Sequence, residues 1–184
     1  MQIEGGTGTG FKAEVDQHNR LAVVSTSDSG FHHTSRDHGF AFSWTAVTAD
    51  LAAAATAILL CNNDPDRYLI IDNIYLWCDV ATQLKVHVPP FAAWSGTAIT
   101  GVNMNRTSAN IALASCYANE VTNALAAATT IVTLHTNELT TDQYAASINL
   151  YNALVLGYHD SVAVDIVEDS AAFEATIFGY FEDR

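Results

Sequence analysis

Residues 162–181 read VAVDIVEDSAAFEATIFGYF, and their periodicity decides the fold. Val162, Val164 and Ile166 fall on one side of an extended chain; Phe173, Ala175 and Ile177 fall on one side of the next. Side chains on a strand alternate between faces, so a period-two run gives each segment one apolar face. The polar break at residues 168–171, and the turn-rich residues 157–161 before the first run, give the spacing of antiparallel strands.

The same signal recurs toward the N-terminus. Residues 153–158 and 131–135 read as strands. In Gln83–Val88 (QLKVHV), Leu84, Val86 and Val88 share a face, and Pro89-Pro90 ends the run because proline cannot donate to a ladder. Arg67–Cys78 (RYLIIDNIYLWC) is apolar on both faces, as expected of a central strand covered on both sides, with a bend or bulge at Asp72-Asn73. Phe40, Phe42 and Trp44 alternate with small and polar residues. Residues 99–103 and 111–117 predict shorter strands, and 121–130 is ambiguous. Residues 51–57 (LAAAATA) predict a short helical stretch, since alanine is the best helix former. The amphipathic helices that a parallel α/β sheet needs between strands are missing. The expected fold is all-β: an antiparallel β-sandwich of jelly-roll type over residues 40–184, with a lipocalin-like barrel as the structural alternative.

Residues 1–39 differ in kind. The Gly- and Thr-rich start (GGTGTG, residues 5–10) cannot build a core. Residues 12–15 and 20–25 predict two short strands of an extended N-terminal arm, and the polar residues 26–39 predict a linker. The start has no basic stretch followed by an apolar one, so no signal peptide is expected, and the protein is expected to stay in a reducing cytoplasm until release.

Charge narrows the partners. Asp and Glu number 20 against 7 Lys and Arg, a formal −13, and only 15% of residues are charged. The few cations are scattered, so neutralising nucleic-acid phosphates or docking on anionic lipid is disfavoured. A chain 49% apolar with so little charge fits an obligate oligomer, whose interfaces resemble a domain core.

Chemistry-bearing motifs are sparse. Cys61, Cys78 and Cys116 are odd in number and far apart, so neither a disulfide framework nor a zinc site is expected. His32, His33 and His38 with Asp37 make the one metal-like cluster, but adjacent histidines on an extended chain diverge, and a solvated linker is the simpler account. His87, His135 and His159 stand alone in sequence, and there is no His-x-His of the metal-dependent jelly-roll enzymes. Neither Gly-x-Ser-x-Gly nor a phosphate loop occurs. Asp142, Asp160, Asp165 and Glu168 supply carboxylates, but as turn or solvent-facing strand positions. Trp44 and Trp77 sit in core-patterned strands, whereas Trp94 follows Pro89-Pro90-Phe91 in a loop and is the aromatic candidate for touching a ligand or partner. No catalytic residue, cofactor or metal site is assigned, and an enzyme is not expected.

Gly10-Phe11-Lys12-Ala13-Glu14-Val15 followed by Asn19-Arg20-Leu21-Ala22-Val23 resembles the opening of a group of tailed-phage virion structural proteins. Leu59-Leu60-Cys61-Asn62-Asn63, then Asp66-Arg67-Tyr68-Leu69-Ile70-Ile71, and finally Val102-Asn103-Met104-Asn105-Arg106 resemble later segments of that group in the same order. The resemblance implies a capsid decoration or cement protein, a head-fibre base or a tail-associated protein, with no catalytic residues to carry over. Its partners would be the major capsid protein or other virion proteins and further copies of itself, as a homotrimer in the virion, assembled in the host cytoplasm. The arm residues Lys12, Val15, Arg20, Leu21 and Val23, together with Trp94, are the expected partner contacts. A receptor- or glycan-binding module of a fibre or tail is the alternative.

Overall fold

The computed structural model describes residues 30–51, 56–80, 82–120, 128–135, 144–167 and 170–184. Of the arm and linker read over residues 1–39, residues 1–29, with Lys12, Val15, Arg20, Leu21 and Val23, lie outside the described residues.

The strands are β1 (Ala41–Leu51), β2 (Thr56–Asn62), β3 (Arg67–Cys78), β4 (Gln83–Val88), β5 (Thr97–Ile99), β6 (Val102–Asn103), β7 (Ala114–Glu120), β8 (Thr129–His135), β9 (Tyr144–Leu156), β10 (Ser161–Ile166) and β11 (Ser170–Asp183). They form two antiparallel sheets. Sheet one has the order β6-β1-β11-β3-β9, and sheet two the order β5-β7-β2-β10-β4-β8. Set aside β5, β6 and β7, and eight strands remain. Among these the first pairs with the last (β1 with β11), the second with the seventh (β2 with β10), the third with the sixth (β3 with β9) and the fourth with the fifth (β4 with β8). This is a long antiparallel ribbon rolled up on itself, the jelly roll, and the barrel alternative falls.

The alternation in residues 162–181 produces the core. Val162, Val164 and Ile166 of sheet two face Phe173, Ala175 and Ile177 of sheet one, within a cluster that includes Phe42, Trp44, Ile58, Ile74 and Leu84. Burying each of these larger side chains stabilises the fold by about 1.5–3 kcal/mol.

Three local expectations change. The helical stretch over residues 51–57 is not formed where the chain is described: Leu51 pairs with Ser170, and Thr56 pairs with Glu120. Ala57 is fully buried in the core, and tertiary packing overrides alanine's helix propensity. The single strand read over 99–103 is two, β5 beside β7 at the end of sheet two and β6 beside β1 at the end of sheet one. Residues 30–38 of the linker form α1 (Gly30–His33) and a π-helical turn (Thr34–His38), closed by Gly39 at φ 65°. The bulge expected at Asp72-Asn73 is present. Asp72 is the extra residue against β11, where Asn73 pairs with Phe178 and Ile71 with Gly179.

Candidate functional site

The chemistry of a jelly roll lies on its two outer faces and its end loops. On the outer face of sheet one, Phe31 anchors α1 by packing with Ala41, Ile70, Tyr180 and Phe178. The Phe31 and Phe178 rings meet edge to face, with centroids 6.1 Å apart, and Tyr75 continues the ladder at 5.6 Å from Phe178. Beyond Tyr75 a depression of about 430 Å³ opens, lined by Tyr75, Trp77, Ala146, Ser147, Glu174 and Thr176. Trp77 is therefore a half-buried wall of this trough and not a core residue, whereas Trp44 is fully buried as expected. The alternation carried the signal: Ile74, Leu76 and Cys78 face the core, so Tyr75 and Trp77 point away from it.

On the outer face of sheet two, Leu59, Cys61 and Ala163 are covered by Trp94 and Tyr117. Trp94 is half-buried there, and its Nε1 is buried with no hydrogen-bond partner. Burial pushes the Cys61 thiol up to about 11, with the nearby Asp160 adding to the rise.

The same face brings together residues that sequence reading left apart. His87 Nε2 lies 2.8 Å from Asp165 Oδ1, and His87 Nδ1 lies 3.0 Å from Thr130 Oγ1. Register explains the meeting. On β4, His87 stands opposite Thr130 of β8 and Ala163 of β10, two residues from Asp165. Lys85 stands directly opposite Asp165. The result is a hydroxyl–imidazole–carboxylate hydrogen-bonded chain. Burial raises the Asp165 carboxyl above its ordinary value, although the bond and charge of His87 and the charge of Lys85 pull the other way. Asp165 is thus a buried partner and not a solvent-facing strand position.

The remaining candidates are occupied locally. The Gly157 N–H donates to Asp160 Oδ2 at 2.9 Å, so Asp160 closes the β9–β10 turn. Asp142 and Glu168 lie outside the described residues. His33 Nδ1 is 2.8 Å from Asp37 Oδ2, and Arg36 Nε is 2.8 Å from Asp37 Oδ1. The Arg36 guanidinium, helped by His33, holds the Asp37 carboxyl below the usual carboxylate range. The His33 and His38 rings meet edge to face with centroids 5.1 Å apart. Among the described residues no group of three or more His, Cys, Asp and Glu is placed to hold a metal ion. Among the same residues no helix is long and apolar enough to cross a membrane.

The asparagines of the quoted segments act as brackets. Asn62 Nδ2 donates to the carbonyls of Arg67 and Leu156, both at 3.0 Å. Asn103 Nδ2 donates to the carbonyls of Gly39 and Asn110 at 2.9 and 3.0 Å. In each case one side-chain amide reaches two backbone groups at once.

No family model and no curated protein matches this chain. One solved structure, described as "Structure of a marine algae virus of the order Picornavirales", superposes over 99% of this chain and 86% of that chain, at 11% identity and a TM-score of 0.30. A likeness at that level carries no argument about what this chain does.

Proposed function

We propose that the chain is a structural component of a tailed-phage virion: a capsid decoration or cement protein that binds and stabilises the head shell as a homotrimer. Its partners are the major capsid protein and further copies of itself. The observation that carries the reading is where the resembling segments fall. Asn62-Asn63 and Asp66-Arg67 build the β2–β3 turn, and Asn103 and Asn105 fix the loop that ties β6 to residues 36–39. The resemblance therefore lies in residues that shape the fold and carries no catalytic group. In this reading the N-terminal arm, through Lys12, Val15, Arg20, Leu21 and Val23, clamps the shell, and many copies of one weak contact add up to firm attachment. The test is co-sedimentation with empty heads. Full-length chain binds; chain lacking residues 1–29 keeps its far-UV spectrum and is lost from the pellet. Equal binding by the truncated chain removes the arm as clamp, and no binding by the full chain removes the shell role.

A second reading, a glycan-binding module, is favoured by the trough. Tyr75 and Trp77 offer ring faces, and Ser147, Glu174 and Thr176 offer hydrogen-bonding groups beside them. Trp94, the loop aromatic singled out from sequence, is the other position to test. A glycan array with wild type, Trp77→Ala and Trp94→Ala decides. Wild-type signal lost in Trp77→Ala supports the trough, and a blank wild-type array rejects the reading.

A further inference from the structure

We propose that the flank formed by β8 and β9 is where a second copy of this chain docks, with Tyr151 as the aromatic anchor. The inference rests on the reading of the chain as a self-associating building block, and adds to it the surface.

The two flanks of the sandwich are unlike. The β1 and β2 edges are capped by β6 and by β7 with β5. On the other flank, among the described residues, β8 pairs only with β4 and β9 only with β3. A free strand edge offers unpaired N–H and C=O groups to another chain, and proteins that stay apart blunt such edges with charges or proline. β8 (TTIVTLH) and β9 (YAASINLYNALVL) contain no Asp, Glu, Lys, Arg or Pro, in a chain where 15% of residues are charged.

Bulges are another blunting device, and both strands have one, but here each presents a large apolar side chain. On β8 the register shifts between the Val86–Val132 and His87–Thr130 pairs, which leaves Ile131 extra and 42% exposed. On β9, Asn149 pairs with Asn73 and Leu154 with Ile71, so four residues bulge opposite Asp72. Tyr151 stands in that bulge, 82% exposed. It and Asn152 adopt φ of 50° and 60°, a left-handed conformation costly for a bulky side chain. The Tyr151 N–H donates to Asn149 Oδ1 at 2.8 Å, which holds the strained geometry. An isolated subunit gains nothing from strain that pushes a tyrosine ring into water, whereas an interface does. Val155, 47% exposed, extends the apolar strip along β9.

Charge selects the occupant. At a formal −13, copies of this chain repel one another across most of their surface. β8 and β9 themselves carry no carboxylate, so two acidic copies that pair along these strands set no like charges of the strands against one another. A basic partner would instead be drawn to the acidic faces.

The experiment is light scattering and sedimentation of the full-length chain over a wide concentration range. Wild type is expected to self-associate. Tyr151→Gly is expected to weaken association by roughly tenfold or more, while the thermal midpoint of the dissociated chain holds or rises, because glycine accepts φ near 50° without strain. Ile131→Lys is expected to act in the same direction, and Val47→Thr, exposed on β1 away from this flank, to leave association intact. Amide exchange of residues 144–149 should slow with concentration in wild type and not in Tyr151→Gly. If wild type and both flank variants associate equally, the flank is overturned and self-association stands. If wild type is monomeric at every concentration, the self-association reading itself fails.

Discussion

His87 Nε2 sits 2.8 Å from Asp165 Oδ1, with both side chains more than nine-tenths buried on the outer face of sheet two. Two buried groups that satisfy one another are costly to separate. His87→Ala leaves the Asp165 carboxyl buried without its partner and is expected to cost about 3 kcal/mol. Asp165→Asn keeps a hydrogen-bonding group and should cost about 1 kcal/mol. The pH dependence has a definite sign. Burial raises the folded-state value of Asp165 above the ordinary 3.8. The folded chain therefore binds this proton more tightly than the unfolded chain does. The group's contribution is fully present below the ordinary carboxylate value and is lost as pH rises through the raised folded one. Thermal melts of wild type and Asp165→Asn across acidic pH should show the Asn variant gaining on wild type as pH rises through that window. Parallel curves would mean that Asp165 does not titrate in this way.

Asp64 and Arg67 form the second buried pair, at the β2–β3 turn. Arg67 Nε is 2.9 Å from Asp64 Oδ2, at ion-pair distance but outside hydrogen-bond alignment. The other carboxylate oxygen, Oδ1, accepts the Asp66 N–H at 3.0 Å. The guanidinium also lies 4.0 Å above the Phe40 ring. Arg67→Met keeps most of the packing but strands a nearly fully buried carboxylate, for a cost of about 3 kcal/mol. Arg67→Met combined with Asp64→Asn should recover at least about 1 kcal/mol of that loss. Denaturant midpoints of the two single variants and the double variant test this, and strict additivity would show that the pair is not coupled.

How much of this was legible in the sequence depended on the range of the interaction. Period-two runs disclosed β4, β10 and β11 and their inward faces, because a strand's facing is a local property; β3 read as apolar on both faces, and its outer side is partly exposed at Tyr75. Asp72-Asn73 announced a bulge because two polar residues interrupt an apolar run. The trough was legible in principle, since Tyr75 and Trp77 share the parity opposite to Ile74 and Leu76. The His87–Asp165 pair was not. It joins residues 78 apart and exists only because β4 and β10 are neighbours in sheet two. The helical reading does not hold at Leu51, Thr56 and Ala57, the described residues of that stretch, for the converse reason: alanine's local preference is small beside burial of Ala57 and ladder pairing of Thr56. Phe31 was hidden within a segment that reads as polar linker, where one apolar side chain suffices to dock a helical turn.

Gly179 shows what the bulge at Asp72 requires of the neighbouring strand. A Cβ at Gly179 would lie 2.8 Å from the Ile70 carbonyl oxygen and 3.2 Å from Leu69 Cδ1. The first contact is backbone in a paired strand and cannot swing aside. Gly179→Ala is therefore expected to cost about 1–3 kcal/mol through forced displacement of β3 against β11. Thermal unfolding of the variant reads this directly. An unchanged midpoint would mean that the two strands separate there at no cost.

The three cysteines give the last test, one that reports on packing without touching it. All three are free and buried. Burial pushes the Cys61 thiol up to about 11, and it also raises Cys78 and Cys116. The thiolate is the nucleophile, so near pH 8 only about one Cys61 in a thousand is reactive at any instant, before access is considered. Alkylation of the native chain should run at least about a hundredfold slower than in denaturant, where all three thiols return to ordinary values. Cys61 adds a discriminating detail, because Trp94 packs over the same outer patch of Leu59, Cys61 and Ala163. Trp94→Ala should accelerate labelling of Cys61 while leaving Cys116, on the core side of β7, slow. If Cys61 and Cys116 accelerate together, Trp94 supports the whole sandwich and not that patch alone. If neither does, the loop carrying Trp94 does not shield sheet two in solution.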